Sequence, residues 1–139
     1  MKLRPMTFVD ACYADNHSIS HGIASKEPPI SDLSVTLEDD GKIMAVGGVR
    51  LINLTTAWCW VNLTHDAVKN IISVYREITE WLDEITKEHN IKRLQAYVDV
   101  DFPEGIKLLE HLKFTKESVM DKFSGDKDAF MYKRITWAD

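Results

Sequence analysis

An apolar strand that runs into a long amphipathic helix across a three-residue joint constrains this chain more than any other feature. Ala57 to Leu63 (AWCWVNL) is apolar on both faces, which suits a strand in the middle of a sheet. From Ala67 to His89, apolar residues recur every three or four positions (Val68, Ile71, Ile72, Tyr75, Ile78, Leu82, Ile85), with Lys69, Arg76, Glu77, Glu80, Glu84 and Lys87 between them. The joint is Thr64, His65 and Asp66, and it holds no glycine. A buried strand followed by such a helix calls for a crossover, with the helix packed on the sheet and the next strand returning beside the first. Each aliphatic side chain buried this way contributes about 1.5–3 kcal/mol, so this packing dominates the expected stability.

The rest of the chain fills in a mixed α/β sheet. Leu3 to Met6 is a short strand that Pro5 confines to an edge or an end. Thr7 is placed to cap a helix from Phe8 to about Ser20, with Asp10 in its first turn and His21-Gly22 as its C-terminal stop. Pro28-Pro29 makes Ala24 to Asp32 a loop. Leu33 to Asp39 alternates apolar and polar residues as a half-buried strand does. Asp40-Gly41 then turns the chain, and Lys42 to Ile52 returns as the hairpin partner. Gly47-Gly48 inside that partner predict a bulge or a close backbone approach. Asn53 to Thr56 turns into the apolar strand. Beyond the long helix come a strand at Leu94 to Val100, a turn at Asp101-Phe102-Pro103 and a short helix from Glu104 to Leu112. TKESVMDKF, a charged turn at Gly125 to Asp128 and a closing strand at Ala129 to Ile135 end the fold.

A chain of 139 residues is expected to be one domain, spanning 1–139. It is 45% hydrophobic and 28% charged, which is ordinary for a soluble protein with a core. The net charge of -5 argues against nucleic acid or an anionic membrane as a partner, since both require a basic face. MKLRPMTF lacks the apolar run of a signal peptide and no stretch approaches a membrane span, so the expected compartment is the cytoplasm. Cys12 and Cys59 have neither metal nor redox spacing and are read as reduced thiols. His17 and His21 are four apart, as a metal pair would be, but no third ligand is near, so no metal is expected.

Four stretches carry a resemblance. They are LRPMTFVDA near the start, AVGGVR (Ala45 to Arg50), CWVNLTHDAV (Cys59 to Val68) and LLEHLKF (Leu108 to Phe114). In this order, and with these elements, the chain resembles the GNAT superfamily of N-acetyltransferases over essentially its whole length. The nearest likeness within it is to the small phage family typified by the internal virion protein A of T7-like phages. The resemblance implies a GNAT-like acyl-CoA N-acyltransferase fold, with a central, mostly antiparallel, splayed sheet of about six to seven strands and three to four helices. It places acetyl-CoA where the strand ending at Leu63 parts from the strand beginning near Leu94. The phage likeness implies a structural or interaction protein, virion-associated or host-directed, with phage or host proteins as partners.

The chemistry that the resemblance implies is eroded in the residues. The phosphate loop of these enzymes uses glycines to bring backbone N–H groups to a pyrophosphate at a helix start. Here the matching positions are Leu63, Thr64, His65, Asp66 and Lys69, and Asp66 puts a carboxylate where the phosphates belong. Counting back from Phe114, Leu109 stands where many members carry a proton-donating tyrosine, and Lys113 stands in place of a glycine. Tyr97 is the alternative donor and His65 the candidate base at the strand's end. Asp99 and Asp101 end the strand after the helix, either near an acceptor or simply starting the turn. Trp58 and Trp60 on one strand and Trp81 on the helix are read as core, with a partner surface as the other reading.

Overall fold

The computed structural model describes residues 1–19 and 33–136. In chain order the elements are β1 Lys2–Pro5, α1 Phe8–Asn16, β2 Leu33–Asp39, β3 Lys42–Leu51, β4 Thr56–Leu63, a 3-10 helix His65–Asn70, α2 Ile71–Glu88, β5 Arg93–Asp99, α3 Pro103–His111, β6 Thr115–Ser124 and β7 Lys127–Ile135. The seven strands run β1-β2-β3-β4-β5-β7-β6, with β4 in the central place its apolar sequence predicts. Every registered pair is antiparallel except β4–β5, which is parallel as a strand-helix-strand crossover requires. That parallel ladder joins Thr56, Ala57 and Trp58 to Arg93, Leu94 and Gln95.

Two compact units share β4 and α2. One comprises Met1–Arg50 with Cys59–Glu77, the other Leu51–Trp58 with Ile78–Asp139.

In the first unit, one carboxylate ties three elements together. Thr7 caps α1 through a reciprocal capping box with Asp10: the Asp10 N–H donates to Thr7 Oγ1 (3.2 Å) and the Thr7 N–H donates to Asp10 Oδ2 (2.9 Å). The same carboxylate receives Arg4 of β1 as a two-pronged pair at 2.6 and 3.0 Å, and the Thr36 hydroxyl of β2 at 2.9 Å. Asp10 and Thr36 are buried, so this charge is tolerable only because every side of it is bonded. Beside Arg4, with the Thr7 and Thr36 bonds adding to the effect, the Asp10 carboxyl is held well below the usual carboxylate range.

Asp40 and Gly41 turn the β2–β3 hairpin with φ of 51° and 78°, the left-handed pair that the Asp-Gly signal predicts. The register runs unbroken through Gly47 and Gly48, so the bulge alternative does not apply there. Gly47 instead marks a close approach: a Cβ on it would sit 2.8 Å from the carbonyl oxygen of Trp60. The expected first helix stops short, at Asn16. The His17 N–H bonds back to Tyr13 O and Ala14 O, and Ser18 then pairs with Thr64 in an isolated antiparallel bridge. Ser20, the His21-Gly22 stop and the Ala24 to Asp32 loop lie outside the described residues.

In the second unit, β5, β7 and β6 form an antiparallel block. Leu94, Ala96 and Val98 of β5 are buried, with Tyr132 of β7. Burial pushes the Tyr132 phenol up. Leu82 and Ile85 of α2 belong to the same buried set of side chains. Arg134 of β7 pairs with Asp83 of α2, and the Thr136 hydroxyl donates to Ile91 O. On β5, Arg93 makes a two-pronged pair with Glu117 of β6, which Lys133 of β7 also approaches at 3.2 Å. These two cations lower the Glu117 carboxyl to about 2.

The Asp10 clamp predicts an acid-sensitive fold. Asp10→Ala is expected to cost roughly 3–5 kcal/mol, as removing one partner of a buried pair does. Because the folded-state pKa is depressed, this contribution is fully present above the unfolded value near 4 and is lost as pH falls below it. Urea titrations from about pH 6 to pH 2 check this against Asp10→Asn, for which the acid-side slope of stability should be shallower.

Candidate functional site

The joint between β4 and α2 is built around Thr64, which is 0% exposed. Its N–H donates to Met44 O at 3.0 Å and its hydroxyl donates to Ile43 O at 2.7 Å, with Met44 O at 3.1 Å. Thr64 does occupy the cap position, with extended φ and ψ of -92° and 167°, but its side chain makes no capping bond. The hydroxyl is spent on β3. The helix start therefore differs from the expected one: residues 65–70 form a 3-10 turn and the α-helix begins at Ile71, not at Ala67. The apolar stripe shifts with it. Val74, Ile78, Leu82 and Ile85 are buried, while Val68 and Ile72 are 57% and 61% exposed. At 100° per residue, Ile72 lies on the far side of the helix from Val74.

Backbone alternation sets where the rest of the joint points. With Thr64 bonded toward β3, the Leu63 carbonyl and the His65 N–H face the other edge. Both are already bonded there: Ile19 N–H donates to Leu63 O at 3.0 Å, and His65 N–H donates to His17 O at 3.1 Å. The Ser18 hydroxyl completes the bridge by donating to Asn62 Oδ1 at 2.6 Å. The partners in this arrangement are 44 residues apart, so no local pattern announces it. Of the cofactor candidates, Leu63 and Thr64 are thus buried with polar backbone groups committed within the chain. His65 and Lys69 are exposed, and Asp66 is half-buried in the first turn of the 3-10 helix.

The remaining candidates lie elsewhere. Tyr97, in the second unit, is 51% exposed and packs edge-on against Trp58 (6.1 Å) and Phe123 (4.7 Å). His65 belongs to the first unit. Leu109 is buried in α3, and its carbonyl accepts the Phe114 N–H at 2.9 Å. Lys113 has φ of 71°, so the position where the resemblance expects glycine is left-handed even with lysine in it. Asp99 is buried with Oδ2 unbonded, its carbonyl receives the turn N–H of Phe102, and Asp101 pairs with Lys127 at 3.1 Å. Trp58, Trp60 and Trp81 are half-buried, between the core and surface readings. Cys12 and Cys59 are not joined in a disulfide. His21 lies outside the described residues. The His17 ring stacks on Tyr13 at 4.0 Å with Nδ1 at 2.8 Å from Tyr13 O. Among the described residues no group of three or more side chains could hold a metal, and no helix is long and apolar enough to cross a membrane.

No family model and no curated protein matches the sequence. Solved structures do. The ribosomal-protein-S18-alanine N-acetyltransferase of Escherichia coli is similar over 99% of this chain and 96% of its own, with a TM-score of 0.74 and 17% identity. A variant of the spermidine N-acetyltransferase SpeG of Vibrio cholerae covers 97% of this chain and 95% of its own, at a TM-score of 0.74 and 17% identity. The yncA protein of Salmonella typhimurium, solved with its cofactor acetyl-CoA, covers 96% and 92%, at 0.72 and 14%. The chain has the GNAT acyl-CoA N-acyltransferase fold.

If the Thr64 hydroxyl serves β3 and not the helix, a better capping residue will not rescue its loss. Thr64→Val and Thr64→Asn are both expected to destabilise by about 1–3 kcal/mol in urea unfolding. Asn is a preferred cap, so unchanged stability in Thr64→Asn would assign the hydroxyl to the helix.

Proposed function

We propose that this chain is a GNAT-fold protein that works by binding other proteins, as a virion-associated or host-directed phage protein of the host cytoplasm, and not by acetyl-CoA chemistry. One observation carries the reading: the joint where a phosphate loop would lie has its polar backbone groups turned to the chain itself. Thr64 N–H and hydroxyl serve β3, and His65 N–H serves His17. Asp66 adds negative charge at the helix start, where it stabilises the helix and repels phosphate. Leu109, at the tyrosine position, is buried and has no proton to give. The residues present do not fit acetyl-CoA, and a shared fold does not by itself carry a shared activity. Half-exposed Trp58, Trp60 and Tyr97 supply the kind of aromatic anchors that protein interfaces use. The phage setting rests on the sequence resemblance.

A second reading is an acetyl-CoA-dependent N-acetyltransferase of unknown amine, with His65 as base and Tyr97 as proton donor. It is favoured by likeness over nearly the whole chain to acetyltransferases, one of them solved with acetyl-CoA.

Calorimetric titration with acetyl-CoA and CoA separates the two. The expected result is no binding at micromolar ligand; a dissociation constant near 1 μM, about 8 kcal/mol, would select the enzyme. In that event Asp66→Gly should tighten binding. The phage setting is tested separately by mass spectrometry of purified virions, in which the chain is expected as a component.

A further inference from the structure

We propose that the edge of β4 from Asn62 to His65 is a strand-addition site for an extended, hydroxyl-bearing peptide segment of a protein partner, held shut in the free chain by residues 17–19. The inference rests on the reading that this chain acts by binding proteins, and it names the surface.

The chain's own segment shows what the edge accepts. Ser18 and Thr64 pair antiparallel, with Ile19 N–H on Leu63 O and His65 N–H on His17 O. This is the bonding that a peptide uses when it adds a strand to a sheet edge. Recognition also has a side-chain element, since Asn62 Oδ1 takes a hydroxyl from the central residue at 2.6 Å. The matching ligand is therefore an extended segment with serine or threonine at the position facing Asn62.

Among the described residues the hold includes two backbone bonds and one side-chain bond, made by residues that follow directly on the end of α1. The two terminal strands of the sheet are defended differently. β1 is four residues long and ends in Pro5. β6 has register shifts at Lys116/Ser118 and Met120/Ser124, and Lys122 has a positive φ. Short length, proline, bulges and lysines are the usual devices that keep edge strands from pairing. At Asn62–Thr64 the chain is extended up to the start of the 3-10 helix, and residues 17–19 provide the closure.

The probe is a fluorescent peptide of the chain's own residues 14–21, ADNHSISH. Ile19→Pro in the protein removes the N–H that meets Leu63 O without altering β4. The peptide is expected to bind this variant about tenfold more tightly than the wild type in anisotropy titrations. Replacing the peptide's central serine by alanine, or adding Asn62→Ala to the protein, should each reverse most of that gain. Equal binding to wild type and variant, or indifference to the serine, would overturn the proposal and leave residues 17–19 as a plain structural closure. Should Ile19→Pro fail to fold, hydrogen exchange on the wild type decides. With excess peptide the Ile19 amide should lose protection while the His65 amide keeps it; no change at Ile19 overturns the site. Light scattering covers the other occupant, since a wild-type dimer lost in Ser18→Ala would replace the partner peptide by a second copy. Acetyl-CoA titration of the same protein keeps the two levels apart. Micromolar cofactor binding with peptide binding intact removes the proposed function alone, and absent peptide binding removes the strand site alone.

Discussion

The burial of Thr64 governs what the centre of this fold can do. A threonine at the end of a strand and the start of a helix has one hydroxyl and two claims on it: the orphan N–H groups of the helix, or the carbonyls of the neighbouring strand. Here the strand wins, through Ile43 O and Met44 O. The backbone N–H of the same residue points the same way, and strand alternation then turns Leu63 O and His65 N–H to the opposite edge. From this one orientation follow the 3-10 entry into α2, the exposure of Val68 and Ile72, and the bridge to Ser18.

The same orientation bears on chemistry. A phosphate site at a helix start works by presenting unpaired N–H groups. At this joint Thr64 and His65 present theirs to the chain, and Asp66 adds a carboxylate. The fold is that of the GNAT acyltransferases, and at this joint the Thr64 and His65 N–H groups are bonded within the chain.

Charge is handled differently in the two units. In the first, a buried carboxylate gathers β1, α1 and β2, and its value lies in being bonded on every side. In the second, Arg93, Glu117 and Lys133 form an exposed cluster across β5, β6 and β7, where water screens each pair. The first arrangement specifies which elements meet. The second adds little beyond solubility and edge protection.

Much of the fold was legible in the sequence because it follows from local chemistry. The Asp40-Gly41 turn, the Thr7 cap, the apolar β4 strand and the amphipathic α2 helix each depend on residues within a few positions of one another, and each formed, although α2 starts at Ile71 after a 3-10 turn and not at Ala67. The missing phosphate glycines and Leu109 in place of tyrosine were also plain in the sequence, as were His65 and Lys69 as surface residues. Tertiary structure alone decided the choices between near-equal partners. Thr64 could cap a helix or bind a strand, and only the arrival of β3 beside it settled which. Asp10 looked like a first-turn helix acid until Arg4 and Thr36 were brought to it. The Ser18–Asn62 bond joins residues 44 apart, and its two halves carry no local signal. Patterns every two or four residues report which face of an element is buried. They are silent on which distant carbonyl will meet a given hydroxyl, because that bond forms only once both elements are in place.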